Sequence, residues 1–382
     1  MIYNPRISTM RLQQKAQKGA ILLIVLWFLV IAAVLVATMS TETQLSARIV
    51  AHQNDNLDTW SETLTALRVA EMELMIAFMP LHPDTYKNIP LSERKNPRYR
   101  FDGRELGEKD FAYEIPQNVT VRIYDHAGKI NLLRLSENQL RQLLKKQLGD
   151  NQTDKIDELV HAWQDWIDAD DLKRTNGAEK EYYERLKQPY QPRNAILETV
   201  GELRLIKGFD EVFKGVDLNT AFTVYGSISG VNPNIATREA LLLLPGLDSE
   251  SVDKILVHRR EEELKSHNDF NRFIELEDIG LFLPWVNFSV SPYFSIAVQN
   301  KKPQFVLEEE QKNDKTKKNT PHSAEELAAQ RQAQVQNERG YLVTVMTQGS
   351  QKKPRTLYVN PYSVLPDNRH MSMTLEELEE KE

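Results

Sequence analysis

The sequence predicts an α+β fold in which a long N-terminal helix precedes a small antiparallel sheet, with a large all-α domain inserted into that sheet. Three observations predict it. Apolar residues keep near-helical spacing from Ala20 to Met79, with no Pro or Gly between them. Strand-like runs lie only between residues 111 and 125 and again after residue 292. From about Lys129 to Trp285 the apolar pattern is helical.

The N-terminal segment "KGAILLIVLWFLVIAAVLVATM" carries no charge after Lys18. About 21 helical residues at roughly 1.5 Å each give roughly 31 Å, close to the hydrocarbon thickness of a bilayer. The apolar core of a signal peptide is shorter, at about 7–15 residues. The flank before it contains no acid and four basic residues, Arg6, Arg11, Lys15 and Lys18. Because basic flanks stay in the cytoplasm, we predict a single-pass anchor over 20–41.

After residue 41 the helical pattern continues to Met79, so a single helix is predicted over 20–79. Two strands are then expected in "FAYEI" and "VTVRIYD", joined as a hairpin by "PQN". Three more strands are expected in "YFSIAV", "YLVTVM" and "TLYV". The sheet domain would therefore comprise 80–128 and 286–382, with the helical domain inserted over 129–285.

Residues 299–340 are charged and nearly free of aromatic side chains, which indicates a solvated linker within the sheet domain. The acidic end "TLEELEEKE" is expected to be a frayed helix or a tail.

The inserted domain contains a weak internal repeat. "GKINLLRLSENQLRQLL" parallels "SGVNPNIATREALLLL", since in each a Val or Ile and an Asn precede a loop and an amphipathic helix. A second helix follows each of them. Chance alone remains an alternative, but the shared order of elements favours duplication.

The segment "DWIDADDLKRTNGAEKEYY" holds a dense cluster of side-chain oxygens in a chain otherwise poor in site-like features. The candidate metal ligands are Asp165, Asp168, Asp170, Asp171 and Glu179. Hard oxygen ligands at short spacing on a turning loop are what Ca²⁺ prefers. Acids at the C-terminal end of a helix are also unfavourable without a counter-ion. A calcium site is therefore predicted, with a solvated acidic helix end as the alternative.

Residues 231–280 resemble a helix-hairpin-helix unit, which in other proteins grips the DNA backbone. Such a turn needs glycines that let backbone amides approach phosphate, together with basic side chains. Here Asp248 stands where a second glycine is expected, and the unit has six Lys or Arg against eleven Asp or Glu. We therefore expect helical packing and no nucleic-acid binding.

Composition and motifs exclude several other classes. The chain of 382 residues has no cysteine, which excludes disulfides, thiolate metal sites and a cysteine nucleophile. Its net charge of −7 argues against a general nucleic-acid binder. No Walker loop, His-Glu-x-x-His or G-x-G-x-x-G motif occurs, and Ile228 stands at the serine position of a nucleophile elbow in "GSISG". An enzyme is not expected.

A basic leader ending in "KG", an apolar start and a long helix resemble a type IV pilin or pseudopilin. This resemblance implies a leader of residues 1–19, cut by a prepilin peptidase after Gly19 to leave Ala20 as the mature first residue. Most members carry Glu at the fifth mature position, which here is Ile24. In the family that carboxylate pairs with the N-terminal amine of the neighbouring subunit, and a subunit with none ahead of it needs no such acid.

Several features over 163–209 are similar, in order, to the protein K family of type II secretion systems. They are Asp-Trp-Ile-Asp-x-Asp, Gly-Ala-Glu, Tyr-Tyr, Asn194 and "GELRLIKGF". The resemblance covers about 20–300, and it departs from the family where the first Asn-x-Asn appears only as "NLL". Calcium has been associated with this family.

The resemblance implies a pilin-like, minor pseudopilin at the tip of the pseudopilus, which supports export of folded proteins across the outer membrane. The implied partners are the other minor pseudopilins, the prepilin peptidase and the inner membrane, with the exported substrates as a further candidate. The bulk of the chain would be periplasmic. Two alternatives stay open: a minor pilin of a type IV pilus, and a membrane-anchored DNA receptor that uses the helix-hairpin-helix unit.

Overall fold

A computed structural model describes residues 20–79, 96–300 and 340–360. Within the first helix, side chains are described only for residues 25–32 and 57–79. The predicted leader with Gly19, nearly all of the linker 299–340 and the acidic tail lie outside the described residues.

The described elements fall in the following order along the chain. The helices are α1 (Ala20–Ala77), α2 (Glu137–Leu148), α3 (Thr153–Ile167), α4 (Lys180–Glu184), α5 (Phe209–Val212), α6 (Leu218–Ala221), α7 (Arg238–Leu243), α8 (Ser249–Glu261) and α9 (Leu276–Phe282). The strands are β1 (Asp102–Leu106), β2 (Val119–Asp125), β3 (Ile130–Asn131), β4 (Phe222–Thr223), β5 (Tyr293–Asn300), β6 (Gly340–Met346) and β7 (Arg355–Asn360).

The chain divides into two compact units, Met1–Ser61 and Glu62–Glu382. In the first unit α1 is continuous, and the described side chains from Val25 to Ile31 are all exposed. Among residues with described side chains, no helix combines the length and apolar character needed to cross a membrane. The predicted span 20–41 includes residues 33–41, whose side chains lie outside that description.

In the second unit, five described strands form one antiparallel sheet in the order β1-β2-β5-β6-β7. The last turns of α1 pack on one face of this sheet through Ala66, Ala70 and Leu74, which are fully buried. They meet alternate side chains of the sheet, among them Val121 of β2 and Phe294 of β5. The α+β fold class is therefore confirmed.

The predicted strand "FAYEI" is wrong, and the partner of β2 is the earlier segment β1. Phe111 is buried because it packs beside α1. The backbone N–H of Ala112 donates to the buried carboxylate of Glu73 in α1 at 2.9 Å, so this segment bonds to a side chain and does not join the ladder. The apolar alternation of "FAYEI", which is typical of a strand, thus results here from burial against a helix. Strand β1 contains Asp102 and Gly103, which strands disfavour.

All of the elements from β3 to α9 lie between β2 and β5 in the chain. They share one large apolar core, centred on fully buried Trp166, Phe222 and Trp285. The paired strands β3 and β4 are parallel and belong to this helical region, not to the large sheet.

The two copies of the predicted repeat make matching hydrogen bonds. Asn131 Oδ1 accepts from Leu133 N at 3.1 Å, and Asn232 Oδ1 accepts from Asn234 N at 3.0 Å. Five residues after each Asn, a hydroxyl caps the next helix: Ser136 caps α2 and Thr237 caps α7.

The strand contacts of the two copies match as well. Ile130 pairs in parallel with Phe222, and Val231 forms a parallel bridge with Val286. The side-chain amide of each Asn also donates to a backbone carbonyl. That carbonyl belongs to the residue three positions after the strand partner, Phe222 or Val286. Asn131 Nδ2 reaches Tyr225 O at 3.2 Å, and Asn232 Nδ2 reaches Ser289 O at 2.9 Å. This shared geometry supports the duplication hypothesis.

Candidate functional site

The acidic cluster lies where α3 ends. Asp165 is in the last turn of that helix and is fully buried, whereas Asp168 is the residue at which the backbone leaves the helix. The N–H of Asp168 still bonds to Gln164 O at 3.0 Å, but its ψ of 170° is extended. The following loop therefore turns back across the carboxylate of Asp165.

Arg174, on that loop, bridges the first two acids. Its Nη1 donates to Asp165 Oδ1 at 2.8 Å and also contacts Asp168 Oδ2. The backbone N–H of Arg174 lies 3.3 Å from Asp165 Oδ2. The two carboxylates in turn raise the pKa of the guanidinium. A fully buried Asp165 thus has a cationic partner.

Gly177 allows the loop to approach Asp165 closely. A Cβ at this position would lie 1.8 Å from Asp165 Oδ2. Any side chain here would force the loop away from the carboxylate.

Glu179 is buried without a hydrogen-bond partner. Only 4% of its surface is exposed, and neither carboxylate oxygen has a partner among the described residues. Burial, followed by the charges of Asp165, Asp168 and Asp171, raises the pKa of Glu179 to about 7. An unpaired buried carboxylate is costly, so this position favours either a proton or a cation.

Asn194 closes the cluster from a distant part of the chain. It has a positive φ of 50°, a conformation that Asn tolerates better than most residues. Its Nδ2 donates to Asp171 Oδ1 at 2.8 Å and to Asp170 O at 3.2 Å. With the amide nitrogen held there, the buried Oδ1 has no partner in the described part of the chain.

The cluster therefore contains more buried side-chain oxygens than the available hydrogen-bond donors satisfy. Asp168 Oδ1, both oxygens of Glu179 and Asn194 Oδ1 have no hydrogen-bond partner among the described residues. Carboxylate and amide oxygens of this kind are hard ligands that suit Ca²⁺. As the side chains stand, however, no three Asp, Glu, His or Cys residues in the described segments are grouped closely enough to hold a metal ion.

Aromatic side chains line the inner side of the cluster. Trp166 and Tyr183 are fully buried, with ring centroids 5.2 Å apart, and Tyr190 packs on Tyr183 at the same distance. They exclude water from the base of the acidic loop and thereby strengthen its electrostatic interactions.

Two of the predicted ligands are placed differently from the others. Asp170 and Asp171 are exposed, and Asp170 Oδ1 accepts from Leu172 N at 2.9 Å.

The metal-ligand prediction did not include Arg174 or Asn194, which the structure brings into contact with the acids. Arg174 lies within the acidic segment, so its positive charge could have been identified from the sequence as a partner for the acids. Asn194 lies 23 residues after Asp171, and the sequence linked it to the acidic segment only through the family resemblance.

The turn of the helix-hairpin-helix-like unit joins α7 to α8. A Cβ on Gly246 would lie 2.3 Å from the carbonyl of Asp278 in α9, so the turn packs closely on that backbone. Asp248 caps α8 by accepting from Ser251 N at 2.8 Å. Arg259, the most buried basic side chain of α8, bonds to Asp102 and to two backbone carbonyls. These groups serve packing between elements.

The fold and the cluster define a class of protein. In this class a helical domain with a buried acidic loop is inserted into an antiparallel sheet, and the sheet packs on a long N-terminal helix. Residues 128–214, which contain the whole acidic cluster, match the family model described as "Type II secretion system (T2SS), protein K". Over these residues the chain is similar to the protein K family of type II secretion systems, which confirms the resemblance.

A curated relative and a solved structure are similar to this chain. Type II secretion system protein K of Pectobacterium carotovorum subsp. carotovorum is 40% identical over 72 residues, which is 19% of this chain and 22% of that protein. The chain thus spans about a fifth of the length of this relative. A chain in the crystal structure of the GspK-GspI-GspJ complex from enterotoxigenic Escherichia coli is 14% identical, with a TM-score of 0.46, covering 82% of this chain and 98% of that one.

Proposed function

We propose that this protein is a minor pseudopilin of a type II secretion system. The observation that carries the proposal is the match of residues 128–214 to the protein K family, together with the position of this region between two strands of one sheet. The role is that of an assembly component and not of an enzyme. At the pseudopilus it would support export of folded proteins across the outer membrane.

The proposed position is the tip of the fibre. A prepilin peptidase would cut between Gly19 and Ala20, and residues 20–41 would anchor the helix in the inner membrane with the larger unit in the periplasm. Ile24 stands where shaft subunits carry a carboxylate, so this subunit has no acid to offer the N-terminal amine of a subunit above it. The inserted domain adds bulk that would hinder such an addition.

The proposed partners are the other minor pseudopilins of the tip, with exported proteins as further candidates. Helix α1 continues from Ala20 to Ala77, and its first described side chains are apolar and exposed. Such a surface suits packing against neighbouring helices of the same kind.

We further propose that the acidic cluster binds Ca²⁺. The oxygens best placed to hold it are those without donors, on Asp168, Glu179 and Asn194, and Asp170 and Asp171 are close enough in the chain to contribute. Asp165 would remain the buried anchor of Arg174 or exchange that partner for the ion. When bound, Ca²⁺ would neutralise carboxylate charge and fix the loop.

Co-purification of the full chain with the minor pseudopilins of its own system tests the role. The tagged full chain is extracted from membranes in mild detergent and its partners are identified by mass spectrometry. We expect the minor pseudopilins in stoichiometric amounts. A matched sample with the helical domain intact but residues 20–61 deleted controls for contacts made outside those residues of α1.

Recovery of type IV pilus subunits instead would favour the alternative pilin role. Recovery of the chain without any pilin-like subunit would contradict the proposed function.

A further inference from the structure

A cavity of about 190 Å³ lies in the second unit, between the helical region and the large sheet. Its wall includes Lys129 and Phe222 from the helical region, and Ser295, Leu342 and Thr344 from the sheet. An apolar protein cavity of about 150 Å³ is large enough for benzene. This cavity, here named the junction cavity, is therefore large enough for a small organic molecule.

Lys129 brings a buried positive charge to the wall. Only 3% of its surface is exposed, and its ammonium donates to Asn219 O at 2.6 Å and lies 5.2 Å from the ring centroid of Tyr124. In the described part of the chain, no carboxylate forms an ion pair with it. Burial lowers the pKa of Lys129 to about 8. An ammonium has three N–H groups, so at least one remains without an acceptor.

A chain of hydroxyl groups and one imidazole also lines the cavity. His126 Nδ1 lies 2.7 Å from Thr223 Oγ1, and His126 Nε2 lies 2.8 Å from Ser295 Oγ. Ser295 Oγ in turn lies 3.2 Å from Thr344 Oγ1. Burial and then the charge of Lys129 lower the pKa of His126, so the ring is neutral.

This network has one hydrogen more than its contacts use. A neutral imidazole has one N–H and the three hydroxyls have one O–H each, whereas three contacts join the four groups. One hydroxyl hydrogen is therefore free to donate elsewhere, whichever ring nitrogen carries the proton. The four side chains all line the junction cavity, which is where that hydrogen finds space.

Among the described residues, Lys129 is the charged side chain of the wall, and no Asp or Glu lines the cavity. Asp125, Asp217 and Glu239 act on Lys129 through longer distances without reaching the wall. The remaining wall includes apolar groups from Val200, Val224 and Leu342. The cavity therefore combines cationic and neutral donors with an apolar surface.

We propose that the junction cavity binds a small carboxylate, whose oxygens accept from Lys129 and the hydroxyl network while its apolar part contacts Val200, Val224 and Leu342. The charge-assisted bond to a buried ammonium supplies the preference for the anion. The site does not depend on the secretion role, and it would tie the helical region to the sheet by bridging both.

Titration calorimetry of the full chain in mild detergent tests this, with benzoate as probe and neutral benzamide as its matched control. We expect saturable binding of benzoate at least about tenfold tighter than that of benzamide, because loss of the charged acceptor removes the stronger hydrogen bond. Methyl signals of Val200, Val224 and Leu342 should shift on benzoate addition, while that of Leu143 in α2 should not.

Two variants keep the test decisive. Lys129→Met removes the charge, and Gly201→Leu adds a side chain at the cavity wall, where Thr199 Oγ1, at 3.8 Å, is the one atom near a Cβ. Each should weaken benzoate binding at least about tenfold, whereas Lys145→Met, at an exposed lysine of α2, should bind as wild type. Equal binding of benzoate and benzamide, wild-type affinity in Lys129→Met, or no saturation up to about 10 mM would overturn the proposal.

Discussion

Arg174 Nη1 donates a hydrogen bond to Oδ1 of the fully buried Asp165 at 2.8 Å. This contact turns the loop after α3 back over the helix end, and it supplies one cation where the surrounding side chains carry several negative charges. Asp168 Oδ1 and both carboxylate oxygens of Glu179 have no donor among the described residues, so one guanidinium does not satisfy the cluster.

Replacement of Arg174 separates the role of the guanidinium from that of a metal. Without calcium, Arg174→Met should lower the free energy of unfolding by about 1–3 kcal/mol, because it leaves the buried carboxylate of Asp165 without its cationic partner. Added Ca²⁺ should reduce that loss. Urea unfolding with and without Ca²⁺ measures both, and Arg185→Met, at an exposed arginine, serves as control. A deficit that calcium leaves unchanged would argue against a metal in the loop.

The raised pKa of Glu179 predicts that the stability of the fold depends on pH. Its pKa is raised to about 7 in the folded chain from an ordinary value of 4.5. The folded state therefore holds a proton that the unfolded state has lost between these values, so stability should fall as pH rises from about 4.5 to about 7.

Glu179→Gln should remove this dependence and exceed the wild type in stability above pH 7 by about 1–3 kcal/mol. Unfolding midpoints measured from pH 4 to pH 8 without calcium give the comparison, with the exposed Glu184→Gln as control. Parallel pH curves for wild type and Glu179→Gln would contradict the burial of an unpaired carboxylate.

Calcium binding itself is tested by calorimetry on the full chain. Wild type should release or absorb heat on addition of Ca²⁺, with a dissociation constant of about 10⁻⁴–10⁻³ M if the site resembles other extracellular modules. The double variant Asp168→Ala, Asp170→Ala should lose the heat, and the exposed Glu181→Gln should keep it. Identical traces without heat for wild type and double variant would remove the metal from the account.

Gly177→Ala tests the close approach of the loop to Asp165. The added methyl would overlap Asp165 Oδ2, so the substitution should destabilise the fold by about 1–3 kcal/mol. Gly280→Ala provides the control, because no atom lies within 4 Å of a Cβ there. That helical position should be neutral or stabilised by about 0.5–1 kcal/mol in thermal unfolding. Equal stability of the two variants would mean that the loop is not packed as described.

Much of the fold could be predicted where the pattern is long and periodic. Helix α1 and the strands β2, β5, β6 and β7 coincide with the runs that predicted them. Strand β1 could not be predicted, because its Asp and Gly disfavour strands and only pairing with β2 fixes it. The segment after it imitates a strand because Phe111 is buried against α1.

The acidic cluster could be predicted in part. Local spacing placed Asp165, Asp168 and Glu179 near one helix end, since all lie within one loop and its flanks. Asn194 reaches the cluster only through the folded path of the chain, and its Nδ2 bond to Asp171 has no sequence signature. Which carboxylate and amide oxygens lack a hydrogen-bond donor likewise cannot be predicted from the sequence, because it depends on the folded positions of all the donors.

N-terminal sequencing of the protein isolated from its own membranes tests the central claim most directly. A pseudopilin processed by the prepilin peptidase should begin at Ala20, with Gly19 and the basic leader removed. The same experiment on Gly19→Val should give an intact leader. A mature wild-type protein that still begins at Met1, or that begins at another position within residues 20–61, would contradict the account.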